Sequence, residues 1–165
     1  TGLAALLATG RVRKIICSYP RQTDSHVFDG LYRSGKIELE LAPQGNLAER
    51  IRAAGAGIGG FFTATGYGTQ LAEGKETRLI NGRHYVLESP IHADVALVKA
   101  WKADRWGNLV FRKAARNFGP IMATAAKCTI AQGDHVVPLG ELDPEVIVTP
   151  GIFVKRVVHV PGGSQ

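Results

Sequence analysis

The chain has 165 residues, an apolar share of 45%, 20 glycines and a net charge of +6. That is enough for one domain with a real core, and too apolar for a disordered chain. No apolar run approaches the ~18 residues a bilayer crossing needs, and no signal peptide is visible, so the expectation is a cytoplasmic protein with no membrane partner. The basic residues are scattered, the densest cluster being Arg11-Val12-Arg13-Lys14, with no aromatic–basic stripe. No nucleic-acid partner is expected, and a smaller polyanion fits the charge.

The opening TGLAALLATG reads as the last turns of a helix closed by Gly10. Because Thr1 is not a methionine and this helix has no start signal, a preceding segment is expected. A strand follows over Val12–Tyr19, stopped by Pro20, and residues 20–26 form a polar loop. Val27–Arg33 reads as a short helix closed by Ser34-Gly35. Ile37, Leu39 and Leu41 alternate with Glu38 and Glu40, the period of a half-exposed strand. Pro43-Gln44-Gly45 breaks it. Asn46 is then an N-cap, with Glu49 three positions on as in a capping box, for a helix Leu47–Ala54 ending at Gly55.

Asn81-Gly82 between two apolar runs predicts a type I′ hairpin over Arg78–Leu87. Asp94–Trp101 reads as a buried strand, Trp106-Gly107-Asn108 as a turn into a short strand through Phe111, and Ile121–Lys127 as a helix with Pro120 near its start. His135–Val137, Val146–Val148 and Phe153–His159 read as further strands. The alternation predicts one α/β domain over residues 1–165, with an open, mostly parallel sheet flanked by helices and a hairpin insertion.

Cys17 and Cys128 stand far apart without C-x-x-C spacing, so they read as two reduced thiols rather than a disulfide framework or a zinc site. The histidines 26, 84, 92, 135 and 159 show no metal-ligand spacing, and no metal is expected. Ser18 and Ser89 lack a nucleophile elbow. What does carry chemical meaning is Gln44. It is a neutral donor next to a helix N-terminus, where backbone N–H groups are unpaired and the dipole is positive, a setting that suits an oxyanion or a polarised carbonyl. Gly45 beside it leaves the backbone open.

Gly55-Ala-Gly57-Ile-Gly59-Gly60 matches the letters G-x-G-x-x-G, but it follows a helix and runs into Phe61-Phe62, the inverse of the dinucleotide context. A loop whose backbone at Gly57 and Gly59 approaches a ligand or partner is read instead, with purely structural turns as the alternative. Tyr67, at the tip of Thr65-Gly-Tyr-Gly-Thr69, either lines a pocket or packs. Arg21 and Gln22 follow the first strand, where open α/β sheets bind ligands, and an Arg there can pair with a substrate carboxylate. The stretch holds no nucleophile, so it reads as half of an active site.

Four stretches, Pro43–Arg52 (PQGNLAERIR), Thr65–Thr69 (TGYGT), Leu97–Asp104 (LVKAWKAD) and Phe111–Phe118 (FRKAARNF), resemble the α subunit of the family I CoA-transferases over essentially the whole chain. Cys17–Phe28, Ala53–Phe62 and Asn117–Met122 resemble most the branch that acts on 3-oxoadipate in the β-ketoadipate pathway of aromatic breakdown. The acetoacetate-type branch is the alternative. The resemblance implies a transferase that moves CoA from succinyl-CoA to the 3-oxoacid by ping-pong exchange, CoA being substrate rather than cofactor. It implies a β subunit that carries the nucleophilic glutamate in an S-E-N-G motif, absent here, and an α2β2 heterotetramer. The family's oxyanion-hole glutamine corresponds to Gln44 in its P-Q-G setting. The family's N-terminal G-G-F segment has no counterpart, so the first strands of the sheet are expected to be missing. A non-catalytic sensor domain and an acyl-CoA hydrolase remain as readings of other classes.

Overall fold

The computed structural model describes residues 2–21 and 25–160. Gln22 lies outside the described residues. The chain divides into two compact units, one of Thr1–Leu47 with Phe62–Leu87, the other of Ala48–Phe61 with Glu88–Gln165.

The first unit begins with α1 (Leu3–Ala8), which ends before Gly10 at φ 69°. Next come β1 (Lys14–Cys17), α2 (His26–Arg33) and β2 (Glu38–Leu41). β1 pairs in parallel with β2 from Lys14↔Glu38 to Cys17↔Leu41, with α2 in the crossover that parallel strands require. The helix buries Phe28, and with Leu7 and Ile37 this forms a core joined by Ile15, Val27, Leu31 and Leu39. Exposed pairs Arg13–Glu38 and Lys14–Glu40 line the other side of the two strands.

The helix α3 (Gln44–Gly55) follows β2, and then β3 (Phe61–Thr63), β4 (Thr77–Ile80) and β5 (Arg83–Glu88) form a sheet in the order β3-β5-β4. The hairpin is the expected one. β4 and β5 pair antiparallel, and Asn81 and Gly82 both have positive φ (49° and 77°), as a type I′ turn requires.

The second unit holds the four-stranded sheet β7-β6-β8-β9, built from β6 (Ala93–Asp104), β7 (Leu109–Val110), β8 (Ala126–Val137) and β9 (Arg156–His159), with α4 (Gly119–Ala125) between β7 and β8 in sequence. β6–β8 and β8–β9 are parallel, and β7 is antiparallel to β6. Ala96, Val98, Ala100, Ala103 and Ala131 from the strands pack with Leu109, Phe111, Ala123 and Val154. The open α/β class with helices and a hairpin is therefore the observed one, its parallel pairs falling in two sheets.

Several boundaries differ from expectation, for physical reasons. The strand read over Val12–Tyr19 shrinks to Lys14–Cys17. Asp94–Trp101 is a strand but not a buried one. Ala96, Val98 and Ala100 turn inward, while Val95 and Leu97 are 52% and 71% exposed, because β-branched content marks a strand without showing how many of its faces are covered. The helix read to Lys127 stops at Ala125, and Ala126 already pairs with Ala93. The Thr129 hydroxyl, fully buried, donates to the Ala123 carbonyl at 2.8 Å and satisfies the helix end without a loop. β8 runs nine residues further forward than His135–Val137, through Gly133. Val146–Val148 is no strand. Pro144–Val146 is a 3₁₀ turn capped by Asp143, and only Thr149 forms a bridge, to Leu109. Phe153 sits in a second such turn, and β9 begins at Arg156. Among the described residues no helix is long and apolar enough to cross a membrane.

Candidate active site

The start of α3 is the first correction at the site. The Pro43 carbonyl accepts from the Leu47 amide at 2.8 Å, so Gln44 is already the first helical residue. Asn46 is not the N-cap and Glu49 closes no capping box. Glu49 pairs instead with Arg52 at 2.8 Å. Proline caps here because its carbonyl starts the ladder while its missing N–H falls where no helical partner exists. The amides of Gln44 and Gly45 thus stand at the positive end of a 12-residue helix with no intrahelical acceptor. The Gln44 side chain is exposed and makes no hydrogen bond among the described residues. A side chain at Gly45 would meet nothing within 4 Å among the described residues, so no packing against them demands glycine there.

Strand pairing decides what shares this edge. The Ala42 amide donates to the Cys17 carbonyl at 3.1 Å, extending the β1–β2 ladder by one step. The segments that follow the two strands, Ser18–Arg21 and Pro43–Gly45, therefore leave the same carboxyl edge of a parallel pair, where open α/β sheets bind ligands. Arg21 lies there, 58% exposed, its Nε 3.3 Å from Asp29 of α2. The Cys17 thiol, at the end of β1, lines a small apolar pocket with Leu7, Pro20 and Phe28. Burial pushes its pKa up, partly offset by a backbone hydrogen bond at Tyr19.

Asn46, 4% exposed, turns its amide to the Thr65 carbonyl at 3.3 Å. That strap ties the Thr65–Thr69 loop to the first turn of α3. The loop holds its own shape through Gly66 and Gly68 at φ 93° and 76° and through the Thr69 hydroxyl, which donates to the Gly66 carbonyl at 2.7 Å. Tyr67, at the tip and 43% exposed, stacks on His84 of the hairpin with centroids 4.5 Å apart and planes 1° from parallel. The Asn46–Thr65 bond thereby links the first turn of α3, which holds Gln44 and Gly45, to the loop that carries Tyr67.

Gly57 and Gly59 belong to the second unit. The Ile58 amide donates to the Ala53 carbonyl at 2.9 Å and Gly57 to Ala54 at 3.3 Å, with Gly57 at φ 69°. This is a Schellman closure of α3, and it gives Gly57 a structural job. Gly59 has neither positive φ nor a close neighbour. Sequence reasoning also missed Arg50, 7% exposed on α3, whose Nε donates to the Ser89 carbonyl at 2.8 Å and lies 3.7 Å from the buried Glu88 carboxylate. A buried guanidinium needs such partners, and only the fold supplies residues 38 and 39 positions away.

Two carboxylates of the first unit are ion-paired. Asp29 faces Arg21 and Glu40 faces Lys14 at 2.6 Å. Among the described residues, the first turn of α3 offers donors for a developing negative charge. A family model described as coenzyme A transferase matches residues 1–160. The chain belongs to the coenzyme A transferase family.

Within the family, this transferase chain is 74% identical over 163 residues to the A subunit of 3-oxoadipate CoA-transferase from Pseudomonas putida, an alignment covering 99% of this chain and 71% of the relative. It is 58% identical over 164 residues to the A subunit of a probable succinyl-CoA:3-ketoacid coenzyme A transferase from Bacillus subtilis, covering 99% and 67%. The fold matches that of an acyl-CoA transferase from E. coli O157:H7, solved as a thioester complex with CoA, at a TM-score of 0.89 and 23% identity, covering 100% of this chain and 37% of that one. Both relatives by sequence are named as an A subunit.

Proposed function

We propose that this chain is the α subunit of a cytoplasmic transferase that moves CoA from succinyl-CoA to 3-oxoadipate, a step in aromatic-compound breakdown. Its obligate partner is a β subunit carrying the nucleophilic glutamate, and the assembly is α2β2. The observation that carries this reading is the 74% identity to the P. putida 3-oxoadipate enzyme along 99% of the chain. Residues 1–165 act as one subunit domain in this reading, although its contacts fall into two units.

The chemistry balances without redox change. The partner's carboxylate attacks the succinyl thioester carbonyl. A C–O bond forms, the C–S bond breaks, and CoA leaves as thiolate, so that an acyl–glutamyl anhydride remains. The thiolate attacks the glutamyl carbonyl and releases succinate, leaving CoA on the enzyme as a thioester. The 3-oxoacid carboxylate reverses these steps and frees the glutamate. Each attack passes through a tetrahedral oxyanion that needs donors about 3 Å away. Gln44 supplies one from its exposed amide at the positive end of α3. Gly45 leaves room for close approach, Tyr67 walls the site, and the Gly57–Gly59 stretch faces ligand or partner. Arg21, held at Nε by Asp29, reads the distal carboxylate that 3-oxoadipate has and acetoacetate lacks.

The test is reconstitution of the full-length α subunit with its β partner, following succinyl-CoA-dependent 3-oxoacyl-CoA formation. A strong preference for 3-oxoadipate over acetoacetate, lost when either partner is omitted, is expected. The reverse preference favours the acetoacetate-type alternative. Gln44→Ala is expected to lower kcat by ~10²–10³-fold, as for other single oxyanion donors, and unchanged turnover removes Gln44 from the mechanism. Arg21→Ala is expected to weaken 3-oxoadipate and spare acetoacetate, so an equal loss on both refutes its role.

A further inference from the structure

We propose that Asn46 is a positioning residue of the transfer reaction, acting through Gln44 by clamping the Thr65–Thr69 loop onto the first turn of α3. The inference rests on the reading of Gln44 as an oxyanion donor. Asn46 sits two residues from Gln44 and is 4% exposed in a turn whose neighbours Gln44 and Gly45 are exposed. An asparagine there has poor intrinsic reason to be buried in a helix, since its amide costs free energy unless bonded and it favours caps over helical positions. It is bonded to the Thr65 carbonyl, 19 residues on.

Among the described residues, the loop's other hydrogen bonds stay local, within residues 63–72. The Tyr67 amide donates to Ala64, Thr69 to Gly66 and Leu71 to the Thr69 hydroxyl, so the loop is a preformed unit that needs a strap to fix its place against the helix. The Tyr67–His84 stack anchors the tip as well, but on the hairpin rather than on α3. Asn46 is the link by which the loop's position and the geometry of the helix's first turn determine one another. A donor aimed at an oxyanion loses its effect when displaced by about an ångström, so loosening this link should act on the chemical step and leave ground-state binding nearly intact.

The experiment is a mutant cycle in the full-length α subunit reconstituted with its β partner. Asn46→Asp keeps the size but removes the donor, and Asn46→Gln restores an amide on a longer stem. Asn46→Asp is expected to lower kcat on the order of tenfold or more, with KM for succinyl-CoA within about twofold and faster amide exchange over residues 64–72. Asn46→Gln is expected to recover part of kcat. In a Gln44→Ala background Asn46→Asp is expected to cost less than about twofold further, because the group it positions is gone. The same fold-loss in both backgrounds, or an unchanged kcat per active site, overturns the proposal. Gln44→Ala turning over like the parent overturns the oxyanion reading itself, a separate outcome. If either Asn46 variant fails to assemble, the remaining one still decides between coupled and independent loss.

Discussion

Asp104 to alanine is the sharpest probe of what holds the second unit. Asp104 ends β6 and is 4% exposed. Its carboxylate accepts from the Trp106 amide at 3.0 Å, the Asn108 amide at 3.0 Å and the Asn108 side chain at 2.7 Å. Asn108 in turn accepts from the Gly151 amide at 2.9 Å, so one turn fastens β6 to the 3₁₀ turn before β9. Trp106 is 67% exposed, and water there replaces the carboxylate. The two donors of Asn108 lose their partner in a half-buried site, at about 1–3 kcal/mol each. The expected loss is about 2–6 kcal/mol, a fall in Tm on the order of 10 °C for a chain of this size. Asp104→Asn keeps the two backbone bonds and sets two amide donors face to face, costing about 1–3 kcal/mol. Adding Asn108→Asp to it exchanges donor and acceptor across that bond and is expected to recover more than half the loss. Calorimetric unfolding of the parent and these variants decides. An Asp104→Asn protein as stable as the parent, or an exchange no better than the single variants, refutes the reasoning.

Three further outcomes follow from the same geometry. A methyl at Gly55 overlaps the Thr124 hydroxyl of α4, with the Thr124 Cβ at 2.6 Å, so Gly55→Ala is expected to cost about 1–3 kcal/mol by overpacking in denaturant titration, whereas Gly59→Ala is expected to leave stability unchanged, making any loss of its activity a report of contact with ligand or partner. Asp94, hydrogen-bonded to Lys127 at 2.9 Å and attracted by its charge, has its pKa lowered. The small stability it lends is present above the ordinary carboxylate pKa and fades as pH falls through the folded value. Lys127→Gln is expected to move the Asp94 NMR titration upward, and no movement would show the pair to be unformed in solution. Burial raises the Cys17 pKa, so at pH 8 its alkylation by iodoacetamide is expected to be slower than that of a free thiol, and faster alkylation would contradict the buried setting.

Local chemistry explains how much could be read in advance. The Asn81-Gly82 turn, the alternation of Ile37–Leu41 and the helix closed by Gly35 were legible because each depends on a few neighbouring residues whose dihedral preferences or periodicity act alone. Gln44, expected just before the helix, sits inside its first turn. Elements failed where a distant partner outweighed local preference. Asn46 has the strongest capping chemistry in its segment, yet it is drawn into the helix by the Thr65 carbonyl. Ala126 and Lys127 favour helix, yet they join β8 because β6 offers a ladder.

The sequence by itself determined the alternating α/β order, the hairpin and the family signature, since residue type and spacing suffice for these. Only the tertiary structure decided that Ser18–Arg21 and Pro43–Gly45 share one strand edge and that Asn46 joins the Tyr67 loop to α3. It also decided that Arg50 is buried against Glu88 and Ser89. Those facts rest on hydrogen bonds between residues far apart in the chain, and such bonds form only once folding has met the entropy of closing the loops between them.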